Sequence, residues 1–155
     1  MQRTAKAFTL VEILIVVVIL GVLAAMAIPQ FASASDDART AAVQSTVAGV
    51  RSSIASFRTN AVIQGNLPYP TLNQLTDGTV IRTDIPINPF TQVGGVQSVT
   101  EGQAKNRSVT NEDGYGWNYF VDSNATPPVA IFYANTDSPT TAPDGNGSTL
   151  TANEI

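Results

Sequence analysis

From Ile13 to Ser35 the chain runs for 23 residues without a charged side chain, and Val, Ile, Leu and Ala make up most of the run. A helix needs about 20 such residues to cross the hydrocarbon core of a bilayer. In lipid no water satisfies a stray backbone N–H or C=O, so the stretch must be helical if it is inserted. Arg3 and Lys6 precede it with no acid among the first seven residues. Short basic flanks stay on the cytoplasmic side, which puts the carboxyl-terminal part outside. The first expectation is therefore a single membrane-inserted helix with an outward-facing cargo.

Glu12 stands at the start of this run. A carboxylate at mid-bilayer costs about 2.5–3.5 kcal/mol on insertion scales and usually signals function. Two readings fit it. One turn inside the membrane edge, the side chain can reach the headgroups; alternatively it pairs with a cation inside an assembly, the best candidate being an amine four residues earlier.

The residues Lys6-Ala7-Phe8-Thr9-Leu10-Val11-Glu12, followed by the long apolar run, resemble the amino-terminal signature of type IV prepilins and of type II secretion pseudopilins. That resemblance implies cleavage between Ala7 and Phe8 by a prepilin peptidase, then methylation of the new Phe8 amine. It also implies that Glu12 partners this amine in a neighbouring subunit. The family usually carries glycine before the cut, where this chain has the small residue Ala7. An ordinary secretory signal is the rival reading, since Ala25-Met26-Ala27 and Ala32-Ser33-Ala34 both offer a small-x-small site. Against it, Glu12 interrupts the apolar core and the helical pattern continues past both sites.

Gly21 and Pro29 are the two weak points of the apolar helix. Proline removes a donor and clashes with the carbonyl one turn back, and a mid-helix glycine costs about 1 kcal/mol relative to alanine. Both are also common in membrane helices. The resemblance implies that the stretch between them loses helix when subunits pack into a filament.

After Pro29 the pattern becomes amphipathic: Val43, Val47, Val50, Ile54, Phe57 and Ala61 lie four, three, four, three and four residues apart. That spacing forms one stripe on one helix face. Gln44, Ser45, Arg51, Ser52 and Arg58 fall on a solvated or subunit-facing side. The spacing predicts one helix from Thr9 to about Thr59, ended by Gly65 and the prolines Pro68 and Pro70. Beyond it, a turn of helix is expected at 72–75, a brief strand at 79–81 and an extended, proline-bearing loop at 85–90. Residues 91–113 read as a surface loop, because Val93, Val96 and Val99 are too scattered for a strand.

The strongest strand signals are Tyr115–Val121 and Val129–Ala134, rich in aromatic and β-branched residues. Trp117, Tyr119, Ile131 and Tyr133 are expected to form a core with the helix stripe. The tail from Asn135 to Ile155 reads as loop or disorder. Asp137, Asp144 and Asn146 offer oxygen ligands there, and the resemblance implies calcium in such a region, although the full ligand ladder is missing.

Composition narrows the function. No Cys and no His are present, which excludes thiol nucleophiles, histidine bases, disulfides and the commonest zinc sites. Eight basic residues face 12 acidic ones, and no basic cluster follows the leader, so no nucleic-acid partner is expected. Asp84, Asp113, Asp122 and Asp137 lack paired acid–base spacing, which makes a membrane-anchored enzyme the weakest reading.

The expected architecture is α+β: a leader at 1–7, a membrane and filament-core helix at 8–35, and a periplasmic or extracellular domain at 36–155. In that domain the amphipathic half-helix packs on a small antiparallel sheet. The resemblance implies an inner-membrane protein that polymerises with copies of itself into a helical filament. Membrane lipid, prepilin peptidase, an assembly platform and minor pseudopilins would be its partners. The absence of a cysteine pair and the short outer part favour a type II secretion pseudopilin; the alternative is a type IV pilin for adhesion, motility or DNA uptake.

Overall fold

The computed structural model describes residues 8–155. Helix α1 spans Leu10–Ile63, followed by α2 (Leu72–Thr76), β1 (Val96–Ser98), α3 (Glu101–Lys105), β2 (Trp117–Asp122), β3 (Val129–Ala134), β4 (Pro139–Pro143) and β5 (Thr149–Thr151). A 3₁₀ turn, Ala152–Glu154, comes last. The chain divides into two compact units at Asp36/Asp37.

In the first unit α1 is apolar all round and unburied: from Phe8 to Asp36 every residue except Ala27 is exposed. The helix passes through Gly21 and Pro29 without interruption. Because Pro29 has no N–H, the Ala25 carbonyl lacks its usual helical donor.

The second unit is built on the amphipathic half of α1. Thr40, Val43, Val47, Val50, Ile54 and Ala61 are buried, which bears out the predicted stripe. Phe57 is only half-buried. The helix ends four residues later than Thr59, for a local reason. Gly65 adopts φ +72°, Asn66 N–H bonds the Ala61 carbonyl at 2.9 Å, and Gly65 N–H bonds that of Val62 at 3.2 Å. This glycine-centred motif satisfies carbonyls that a helix end otherwise leaves orphaned.

Three strands form a mixed sheet in the order β1-β2-β3. β2 and β3 run antiparallel, but β1 runs parallel to β2, with Val96 opposite Trp117 and Ser98 opposite Tyr119. The small sheet expected as antiparallel is so in its β2–β3 pair and gains a parallel edge: β1 reaches β2 through α3 and a long connection, which a parallel neighbour requires. β4 and β5 make a separate antiparallel pair.

Register decides which aromatics meet the helix. Trp117 lies opposite Ala134 and Tyr119 opposite Phe132, so odd positions of β2 share a face with even positions of β3. The main core accordingly joins Val43, Val47, Val50 and Ile54 to Leu75, Trp117, Tyr119 and Phe132. The rings of Trp117 and Phe132 stack at 5.5 Å. Tyr133 and Ile131 belong to the other face, where Tyr133 packs with Val99 and Ala104 and Ile131 lies against that cluster. Their expected place against the helix is corrected by this alternation.

Residues 79 and 80 form a bend, and no strand is present at 79–81. The expected loop at 91–113 contains β1 and α3, with Val96, Val99 and Ala104 buried. The tail at 135–155 is likewise ordered, with Asn135, Thr136, Ala142 and Ala152 buried. Small and amide residues build this region by hydrogen bonding. Asn135 Nδ2 donates to the Thr110 and Tyr115 carbonyls, both at 2.7 Å, and Asn135 Oδ1 accepts from Asn118 Nδ2 and Thr110 N–H, both at 2.9 Å. Gly116 is required here, because a Cβ would stand 2.2 Å from the Val93 carbonyl oxygen.

Arg51 is not merely solvated. Its guanidinium donates to the carbonyls of Ile155 at 2.8 Å and Phe132 at 3.1 Å, tying α1 to the outer edge of β3 and to the tail. Burial and the nearby charge of Arg107 both push its pKa down. Trp117 Nε1 donates to the Pro86 carbonyl and Tyr119 Oη to that of Pro70, each at 2.8 Å. The proline-bearing loops are thereby pinned to the sheet.

Candidate functional site

The candidate site is the amino-terminal end of α1. Thr9 precedes the first helical residue and Glu12 stands three positions later, the spacing of a capping box. Glu12 Oε2 accepts from Thr9 N–H at 2.9 Å and from Thr9 Oγ1 at 3.0 Å, while Glu12 N–H donates to Thr9 Oγ1 at 3.2 Å. The carboxylate thus satisfies donors at the helix start, where negative charge is also favoured by the helix dipole. Thr-x-x-Glu is a capping-box pattern in the sequence, and it gives Glu12 a partner within its own chain beside the expected intermolecular amine. Oε1 makes no hydrogen bond among the described residues.

Phe8 lies at the tip of this end and is 78% exposed. Ala7, the other half of the expected cleavage site, lies outside the described residues. Gly21 is on the same unburied helix, and a Cβ added there would meet nothing within 4 Å. The expected assembly residues Glu12, Gly21 and Pro29 therefore share one exposed helix, and Phe8, expected at the cut, stands just ahead of it. A helix of this length and composition can cross a membrane.

The sequence from residue 2 to residue 28 matches the family model for the prokaryotic N-terminal methylation motif. The chain is 51% identical over 51 residues to the type IV narrow pilus major component PilA5 of Thermus thermophilus, covering 33% of this chain and 44% of that protein. It is 33% identical over 73 residues to the type II secretion system core protein G of Pseudomonas aeruginosa, covering 47% and 48%. With the core protein G of Klebsiella michiganensis it shares 27% over 85 residues, covering 55% and 56%. The matched stretches, all short of two thirds of either chain, are similar to a type IV pilus component and to type II secretion core proteins, and the amino-terminal motif is the one such prepilin-like chains carry. The chain spans about half the length of the curated relatives it matches. No solved structure matches it. The α+β layout, a long amino-terminal helix with a small sheet, is pilin-like.

Of the expected calcium ligands, Asp144 and Asn146 lie in the loop between β4 and β5 and Asp137 lies before β4. Asp144 Oδ1 accepts from Asn146 N–H at 2.7 Å and Ser148 N–H at 3.0 Å, closing the loop between β4 and β5. Asp137 is exposed. Among the described residues no group of three or more acidic, His or Cys side chains is gathered about one point.

Proposed function

We propose that this chain is a structural subunit of a type IV-filament-like assembly, and within that class a pseudopilin of a type II secretion system. The observation that carries the reading is the exposed apolar first half of α1, from Leu10 to Ser35, headed by the Thr9–Glu12 box. Such a surface is stable only in lipid or against other apolar helices. Before assembly the chain sits in the inner membrane with its amino terminus cytoplasmic and the unit from Asp37 onward periplasmic. A prepilin peptidase cuts before Phe8 and methylates its amine. An assembly platform and minor pseudopilins then move the subunit from lipid into a helical homo-oligomer. Helix association in such a core rests on close packing and polar pairing, because lipid tails are as apolar as the helices.

The longer matched stretches, 73 and 85 residues, are to core protein G, which supports the secretion reading together with the lack of cysteine. The 51% identity to a narrow-pilus component supports a surface pilus as the second reading. Mass spectrometry of the amino-terminal peptide tests the processing step. A chain starting at Phe8 with a methylated amine is expected, and a start at Ile28 or Ser35 would establish ordinary signal cleavage instead. Deleting the gene separates the two filament readings: secreted proteins retained in the periplasm with surface pili intact mark a pseudopilin, and lost pili with normal secretion mark a pilin.

A further inference from the structure

We infer that Asn146 is a site of spontaneous covalent modification in the folded protein, converting to aspartate and isoaspartate through a cyclic imide. The chain has eleven asparagines, and Asn146 alone is followed by glycine. Imide formation requires the next residue's backbone nitrogen to reach the side-chain carbonyl carbon, and a following side chain obstructs that approach. Gly147 has none, and it holds φ +94°, a conformation with free access to glycine.

Both residues are exposed. Neither the Asn146 side-chain amide nor the Gly147 N–H makes a hydrogen bond among the described residues, so nothing must be broken before the atoms meet. The contrast within the chain is sharp. Asn118 and Asn135 are fully buried and bonded to each other and to backbone carbonyls. Asn88 precedes Pro89, which carries no N–H to lose.

The chemistry closes without an oxidant or cofactor. The Gly147 nitrogen loses its proton to water or hydroxide and attacks Asn146 Cγ; the Cγ–Nδ2 bond breaks, and Nδ2 leaves as ammonia after taking a proton. Water then opens the imide at either carbonyl. Opening at the backbone carbonyl carbon gives isoaspartate, whose main chain runs through Cβ; opening at the former side-chain carbonyl gives aspartate. Either product adds one negative charge two residues from Asp144. The isoaspartyl form also lengthens a turn that Asp144 N–H closes on the Ser148 carbonyl at 3.0 Å, between the Pro143 and Thr149 partners of the β4–β5 pair. The subunit would therefore carry a built-in marker of age at this hairpin.

The test uses the full chain in detergent, incubated at mildly alkaline pH and sampled over time. No Lys or Arg follows Arg107, so the protein is cleaved at aspartate and the fragments read by tandem mass spectrometry, with enzymatic isoaspartate methylation as a second readout. The expected result is replacement of the amide by a carboxylic acid at Asn146 alone in the native protein, with methylatable isoaspartate accumulating. Both signals vanish in Asn146→Ser. An unchanged native protein beside a modified, denaturant-unfolded control would overturn the inference, as would earlier modification at any other asparagine.

Discussion

Replacing Ile54 by alanine tests the packing of the outer unit most directly. Ile54 is 6% exposed and stands beside Phe132 and Ala130 of β3, with Arg51 and Tyr69 flanking it. The change removes three buried carbons and leaves a cavity between a helix and a sheet, neither of which can close it fully. Large-to-small changes of this kind cost about 2–5 kcal/mol. A unit of this size loses about 3–5 °C of Tm per kcal/mol, so a drop on the order of 10 °C is expected. The assay is denaturant and thermal unfolding of a chain trimmed to begin at Asp37, where the second compact unit starts. Ser52→Ala, on the exposed face, serves as the control and stays within about 0.5 kcal/mol of the parent. Equal midpoints for Ile54→Ala and the parent would mean that the stripe faces other subunits in solution and that the sheet is held by other contacts.

Burial pushes the phenols of Tyr119 and Tyr133 upward, with neighbouring Tyr69 adding to the rise at Tyr119 and Asn118 and Arg107 opposing it at Tyr133. A raised folded pKa means that stability is intact below the unfolded tyrosine value of about 10 and falls as pH rises beyond it, because the unfolded chain loses protons first. Unfolding midpoints should therefore decline above about pH 10 and decline less steeply in Tyr133→Phe; identical slopes would refute the assignment. Arg51→Gln removes the donors to Ile155 and Phe132 and should cost about 1–3 kcal/mol, with amide hydrogen exchange rising first at residues 152–155. Unchanged exchange there would show that the tail is held without Arg51.

The long helix and its two characters were legible because periodicity is a strong signal over many turns: an uninterrupted apolar run, then a stripe at 43, 47, 50 and 54. β2 and β3 were legible from aromatic and β-branched enrichment. Their pairing parity was not, since Trp117 and Tyr133 alternate equally well within their own strands and only the turn at 123–128 sets which residues lie opposite. β1 is three residues long and α3 five, too short for any period to show. The one local signal for α3 was Thr100-x-x-Gln103, which does form a capping box. The tail hides its order in another way. Thr136, Thr140 and Asn135 are buried by hydrogen bonding, and a buried polar residue leaves the same trace in a sequence as an exposed one. At the amino-terminal site Glu12 stands out in the sequence as the one acid at the head of an apolar run, while its bond to Thr9 follows from helix capping and not from charge.

That partner changes what a Glu12 variant reports. Oε2 holds the Thr9 donors and Oε1 makes no hydrogen bond among the described residues, so one carboxylate can cap its own helix and still receive an amine from a neighbouring chain. Glu12→Val removes both roles: it should insert into the membrane at least as well as the parent, since a charge leaves the apolar run, yet polymerise poorly. Poor assembly of that variant alone does not say which role was lost. Glu12→Gln does, because glutamine completes a capping box as glutamate does but cannot neutralise an ammonium. If intersubunit pairing drives assembly, Glu12→Gln fails nearly as badly as Glu12→Val, for it leaves a cation buried without a counter-charge. Thr9→Val, which loses the cap at about 0.5–2 kcal/mol and keeps the charge, still assembles. Filament yield from the three variants at equal membrane levels decides the matter. Normal assembly of Glu12→Gln with failure of Thr9→Val would refute charge pairing and make the helix cap the essential feature of this end.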